Sequence, residues 1–152
     1  LDLSAPFVRF GHAWAEERGL AMHFRQADAQ ASGYPDGHFD LIVSHILFHE
    51  TWHDVAPRIF AEARRILAPG GVFLNADVPY QPSRMPIPKQ VTNDWQVRNN
   101  GEPFWTGFAD TDVPALLRGA GFAPAQIVAE YEPLGAGHYY FFGAGPAAAV
   151  SS

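Results

Sequence analysis

The apolar positions of this chain change their period from segment to segment, and the changes mark out alternating helices and strands. Behind Ser4, a suitable N-cap, and Pro6, tolerated in a first turn, Phe7, Phe10 and Trp14 recur at spacings of three and four. Residues 5–18 therefore read as an amphipathic helix that Gly19 ends. AMHFRQADA (21–29) reads as a short strand, and the turn-rich ASGYPDGHF leads into FDLIVSHILF. That near-continuous apolar run predicts a strand covered on both faces.

From Asp54 the period is helical again, with Val55, Ile59, Ala63, Ile66 and Leu67 on one face and Arg64 and Arg65 near the C-terminal end of the dipole. Pro69, Gly70 and Gly71 stop that helix, and VFLNADV reads as the next strand. Residues 79–109 are rich in proline and aromatics; a segment this long is functional or carries short helices of its own. Asp110 or Thr111 can cap a helix that buries Val113, Leu116 and Leu117 and ends at Gly121. AQIVAEYE and HYYFFGAG then predict an antiparallel closing hairpin, and residues 147–152 a fraying tail. The pattern is that of an α/β fold, one domain over residues 1–146, with a mostly parallel sheet and a C-terminal antiparallel hairpin.

Composition narrows the partners. A chain of 152 residues with a formal charge of -6 and no run of Lys or Arg lacks a phosphate-tracking surface, so small molecules are expected and nucleic acid is not. The absence of cysteine rules out disulfides and thiolate sites and fits a reducing, cytoplasmic setting. No apolar run reaches transmembrane length, so no membrane partner is expected.

One short stretch raises a specific chemistry. HETWH (49–53) matches the zinc-protease pattern H-E-x-x-H, in which two histidines one turn apart on a helix bind the metal and the glutamate acts as general base. Pro57 belongs in a first turn, however, so the helix is expected to begin after the motif. The extended pattern would also want Gly at 56 and His at 59, where this chain has Ala56 and Ile59. No metal site is expected, and zinc hydrolysis is the weakest of the functional readings.

In open α/β sheets the ligand lies outside the carboxyl ends of the strands. Those ends carry Asp2, Asp28, Ser44 with His45, and Asp77, a set able to accept ribose hydroxyls and an exocyclic amine. In LDLS, QADAQASGYPDGHFDLIVSHILFHE and EARRILAPGGVFLNADV, in that order, the chain resembles the class I S-adenosylmethionine-dependent methyltransferases, of the kind grouped with ubiquinone and menaquinone biosynthesis. The resemblance covers about the first 80 residues closely and implies a Rossmann-like methyltransferase fold.

By position, the resemblance places Asp2 on the cofactor ribose with Leu3 beside the adenine. Asp28 and the Ala29 N–H would read the adenine edge, and Ser44 and His45 would lie near the methionine end. Helix caps or ordinary strand-end carboxylates are the competing reading for Asp2 and Asp28. His49 is the candidate base, against a plain loop histidine. Trp52, Tyr80, Trp95 and Trp105 are candidates for an acceptor pocket, against plain core packing.

The family's first strand and glycine-rich turn have no counterpart here, a segment on the order of 30 residues. The strand at 40–46 is therefore expected to be an edge, 21–29 to lack a pairing partner, and the chain alone to self-associate and bind cofactor weakly. Methyl transfer from S-adenosylmethionine to a small-molecule acceptor is the leading reading. A degenerate methyltransferase-fold interaction module is the alternative.

Overall fold

The computed structural model describes residues 1–77, 82–101, 108–134 and 137–146. Tyr80, Trp105 and the tail 147–152 lie outside the described residues.

Helix α1 (Ala5–Glu17) is followed by β1 (Phe39–His45), a single 3-10 turn (Phe48–Glu50), α2 (Ala56–Ile66) and β2 (Leu67–Asp77). A second 3-10 turn (Pro82–Arg84), α3 (Ile87–Asn99), α4 (Val113–Gly119), β3 (Phe122–Leu134) and β4 (Gly137–Pro146) complete it. The strands form one sheet in the order β1-β2-β4-β3. β1 and β2 are parallel, while β4 runs against both β2 and β3. Three of the four strands thus share a direction, and the antiparallel hairpin is the expected C-terminal one.

The core lies where α2 and α4 cover one face of this sheet. Phe60 of α2 is fully buried between Phe48, at 4.7 Å between ring centroids, and Phe73 of β2, at 5.9 Å. Phe73 meets Phe122, and Phe48 meets Phe108, so an aromatic chain runs from the turn after β1 to the start of β3. Ile59, Ala63, Val113 and Leu117 fill the space between the helices. These are the positions the helical period picked out; burial of that stripe stabilises α2, and Pro57 sits in its first turn, where it is favoured.

Elsewhere the structure departs from expectation. Residues 21–29 form no strand: Asp2 and Gln26 share a single parallel bridge and the rest is irregular, because no neighbouring strand offers a ladder. The apolar stripe of α1 is uncovered, with Phe7 and Phe10 both 69 % exposed, since no sheet lies beneath it. Gly11 and Ala15 make its close contacts, Gly11 against the ring of Phe24. β1 is not covered on both faces either. It is the terminal strand, as expected for an edge, and Leu41 and Val43 on its outer face are exposed.

β2 also begins earlier than the PGG turn suggested. Pro69, Gly70 and Gly71 form an irregularity inside it, where the register jumps from Phe39↔Leu67 to Leu41↔Val72. Gly70 takes φ +81, and a Cβ on Gly71 would meet the carbonyl oxygens of Ala68 and Asp40 at 3.0 Å. Segment 79–109 carries α3, and the cap of α4 is Asp112, whose Oδ1 accepts from Ala115 N at 2.9 Å. Asp110 instead accepts from the Ser83 hydroxyl. Among the described residues no helix is long and apolar enough to cross a membrane.

Burial separates two phenylalanines of equal hydrophobicity. Phe60→Ala should cost about 3–5 kcal/mol of unfolding free energy, whereas Phe10→Ala should fall within about 0.5 kcal/mol of the parent. Urea unfolding of both variants checks the contrast.

Candidate functional site

The site is built where β1 and β2 end side by side. After His45 the chain reverses through Ile46, whose φ of 51 is an outlier for a β-branched residue. Its N–H donates to Ala76 O at 2.8 Å, which carries the β1–β2 ladder one step past the strand. The following residues close on a single carboxylate. Asp77, with no exposed surface, accepts from Leu47 N at 3.2 Å and Phe48 N at 2.8 Å through Oδ2, and His49 Nδ1 lies within hydrogen-bond distance of its Oδ1, at 2.6 Å. These contacts offset the desolvation of a buried carboxyl group. The opposite nitrogen of the ring, Nε2, lies 3.5 Å from Oε1 of the half-exposed Glu50.

Alongside this turn a cleft of about 460 Å³ runs between the free edge of β1, the inner face of α2 and the first residues of the chain. Asp2, Ala29, Ser44 and His45 all line it, so four of the six cofactor positions proposed from the sequence converge on one cavity. Asp2 presents a carboxylate there, although its Oδ1 also accepts from Ser4 N at 2.7 Å and steers the chain into α1. The Ser44 hydroxyl is a buried polar atom with no hydrogen-bond partner.

The other sequence candidates fall elsewhere. Asp28 does not line the cleft; its carboxylate closes its own turn by accepting from Gln30 N and Nε2, and Gln30 is held in turn by Arg58 of α2. Leu3 is 65 % exposed outside the cavity, because the extended start of the chain alternates its side chains and Asp2 takes the inward position. His49 is not a cleft-lining loop residue but a buried one, 4 % exposed.

Trp52 and Trp95, each 62 % exposed, stand on the surface away from the cleft. Trp52 lies in the turn ahead of α2. Trp95 lies two residues from Val97, the buried position of α3, and so on another face of that helix. HETWH is split: His49 sits in the 3-10 turn, His53 is exposed in the next turn, and α2 starts only at Ala56. Among the described residues no cluster of three or more His, Asp or Glu is arranged to hold a metal ion.

Two buried groups at or beside the cleft have surroundings that the sequence did not reveal. Glu62, on the cleft face of α2, accepts from Ser32 N at 2.8 Å and Ser32 Oγ at 2.6 Å, and Arg65 grips both its oxygens at 2.7 and 2.8 Å. Arg65 also reaches Asp36 and the Tyr34 carbonyl, so the pair fastens the 29–36 loop to α2. The i,i+3 spacing of Glu62 and Arg65 was the visible signal; the loop partner was not. Asn75, fully buried beside Ser44 in the β1–β2 register, has neither side-chain amide atom bonded.

Residues 1–71 match the family described as "Methyltransferase domain". A demethylmenaquinone methyltransferase of Thermus thermophilus is 35 % identical over 81 residues, a match spanning 53 % of this chain and 36 % of that protein. Among solved structures, a SAM-dependent methyltransferase from Methanosarcina mazei superposes with a TM-score of 0.73 at 15 % identity, covering 97 % of this chain and 80 % of that one. The apo form of the S-adenosylmethionine-dependent methyltransferase SibL gives 0.69 at 18 % identity, covering 96 % and 42 %. This chain thus spans about a third of the curated relative it matches.

The Arg65 guanidinium and the two Ser32 donors hold the Glu62 carboxyl down to about 2, below its ordinary 4.5. A depressed carboxylate stabilises the fold fully above pH 4.5, and that contribution is lost as pH falls from there through about 2; it is worth at most roughly 3 kcal/mol. Glu62→Gln should cost roughly 1–3 kcal/mol at pH 7 and flatten the acid limb of stability. Urea titrations at pH 7 and pH 3 measure both.

Proposed function

On a chain that carries the class I methyltransferase fold, we propose S-adenosylmethionine-dependent methyl transfer to a small-molecule acceptor. One observation carries the reading: Asp2, Ala29, Ser44 and His45, from separate segments, line one cleft at the carboxyl ends of the strands. The donor set suits the cofactor. Asp2 offers a carboxylate for ribose hydroxyls, and Ser44 offers an unpartnered hydroxyl on the cleft wall for a polar end group.

When bound, S-adenosylmethionine supplies a sulfonium methyl open to in-line displacement. The chain's own part is alignment: the rigid β1–β2 end sets the cleft wall, and the Asp77-held turn closes its rim. For a hydroxyl acceptor, His49 is the candidate base at Nε2: the turn that buries it next to the cleft rim would have to open to the acceptor, and Asp77 would stabilise the resulting imidazolium. Among acceptors the relative's name makes demethylmenaquinone the first to assay.

Titration with S-adenosylmethionine, followed by amide chemical shifts, should perturb Asp2, Ala29, Ser44 and His45. Asp2→Ala should weaken binding about 10-fold or more, the worth of a charged hydrogen bond. Saturable binding that leaves those four amides unmoved would sink the proposal. Transfer itself is assayed with methyl-labelled cofactor on an acceptor panel that includes demethylmenaquinone.

The terminal position of β1 among the described strands favours association of this polypeptide, because an edge strand with the exposed Leu41 and Val43 is a template for another strand. Sedimentation should show mass above the monomer, with Leu41→Lys and Val43→Lys lowering it. Monomeric parent protein with micromolar cofactor affinity would contradict this expectation.

A further inference from the structure

Asp77 does more than hold the turn, and we infer that it is the positioning residue that keeps the His49 proton on Nδ1 and leaves Nε2 as the proton-accepting atom. The inference rests on the reading of His49 as base, and it assigns a role to a side chain in the strand behind it. The geometry is specific. Two backbone N–H groups, Leu47 and Phe48, point at Oδ2, and they can only donate. They anchor the carboxylate in one orientation, so Oδ1 faces the ring as an acceptor and Nδ1 is the donor across 2.6 Å.

The neutral ring then has its lone pair on Nε2, 3.5 Å from Oε1 of the half-exposed Glu50, a carboxylate that favours a proton on this nitrogen and pairs with the imidazolium once it forms. With S-adenosylmethionine bound, a hydroxyl acceptor would give its proton to Nε2 as its oxygen bonds the methyl and the methyl–sulfur bond breaks, the sulfur leaving as a neutral thioether; the imidazolium would be flanked by Asp77 and Glu50.

The same geometry dictates what an isosteric change does. In Asp77→Asn one carboxylate oxygen becomes an NH2. The two backbone donors hold the remaining oxygen, which turns the NH2 toward His49. Nδ1 must then accept, and the ring proton moves to Nε2. The turn survives while the accepting atom is lost. Asp77→Ala instead removes the anchor of Leu47 and Phe48 as well, and it should disturb both the turn and the neighbouring cleft wall.

The test is nitrogen-15 NMR of the His49 ring in the full chain, with S-adenosylmethionine titrated in parallel. The parent should show the Nδ1–H tautomer when neutral; Asp77→Asn should show Nε2–H with cofactor-induced shifts at Ser44 and His45 unchanged. A parent ring already protonated at Nε2, or one doubly protonated at every accessible pH, overturns the assignment even if the variant does not fold. So does an unchanged tautomer in Asp77→Asn.

With an acceptor in hand, transfer should fall on the order of 100-fold or more in Asp77→Asn. A switched tautomer with undiminished transfer upholds the control by Asp77 and removes His49 as the base, which separates the two readings.

Discussion

The carboxylate of Asp77 is the constraint on which the functional end of this molecule depends. It terminates β2, the strand that pairs with β1 on one side and β4 on the other, and its side chain enters the buried face. A charge placed there is tolerable only if donors surround it, and the turn after β1 provides them. Leu47 and Phe48 give it their N–H hydrogens, and His49 Nδ1 closes the set at 2.6 Å. The strained Ile46 is the conformational consequence: the chain must reverse at once to bring those donors back over the strand end. The cleft wall at Ser44 and His45, the burial of Phe48 and the orientation of the imidazole follow from that one anchoring point.

Two carboxylates near the cleft therefore have different tasks. Glu62 is consumed by Arg65 and Ser32, and its depressed ionisation is a matter of fastening a loop to a helix. Asp77 faces a ring whose proton location it dictates. The difference lies in the partners: an arginine is a permanent donor, whereas a histidine exchanges roles with the state of its neighbour.

The helices and strands of the packed half were legible because their apolar period coincides with their burial, as in Ile59, Ala63 and Ile66 of α2. The position of HETWH ahead of that helix was legible too, from Pro57. Less legible was everything that required a partner distant in sequence. The apolar spacing of Phe7, Phe10 and Trp14 correctly gives a helix, yet those rings are exposed, since periodicity reports a face and not what lies against it. FDLIVSHILF reads as covered on both faces, and while β1 is the edge expected of it, its outer face is open. AMHFRQADA has strand composition without a strand, because ladder hydrogen bonds need a neighbour.

The candidate site divides along the same line. From the sequence came the strand-end positions Asp2, Ser44 and His45, because strand periodicity and turn residues locate the carboxyl edge of an α/β sheet, and Ala29 came from the family resemblance. Only the tertiary structure decided that Asp28 closes its own turn with Gln30, and that Leu3, Trp52 and Trp95 face solvent. The burial of His49 against Asp77, 28 residues later, was likewise decided in three dimensions. A one-dimensional pattern specifies which residues reach a given end of the sheet. Which of them become hydrogen-bond partners depends on distances between segments, and those are set by the packing of β1 against β2 and of α2 across them.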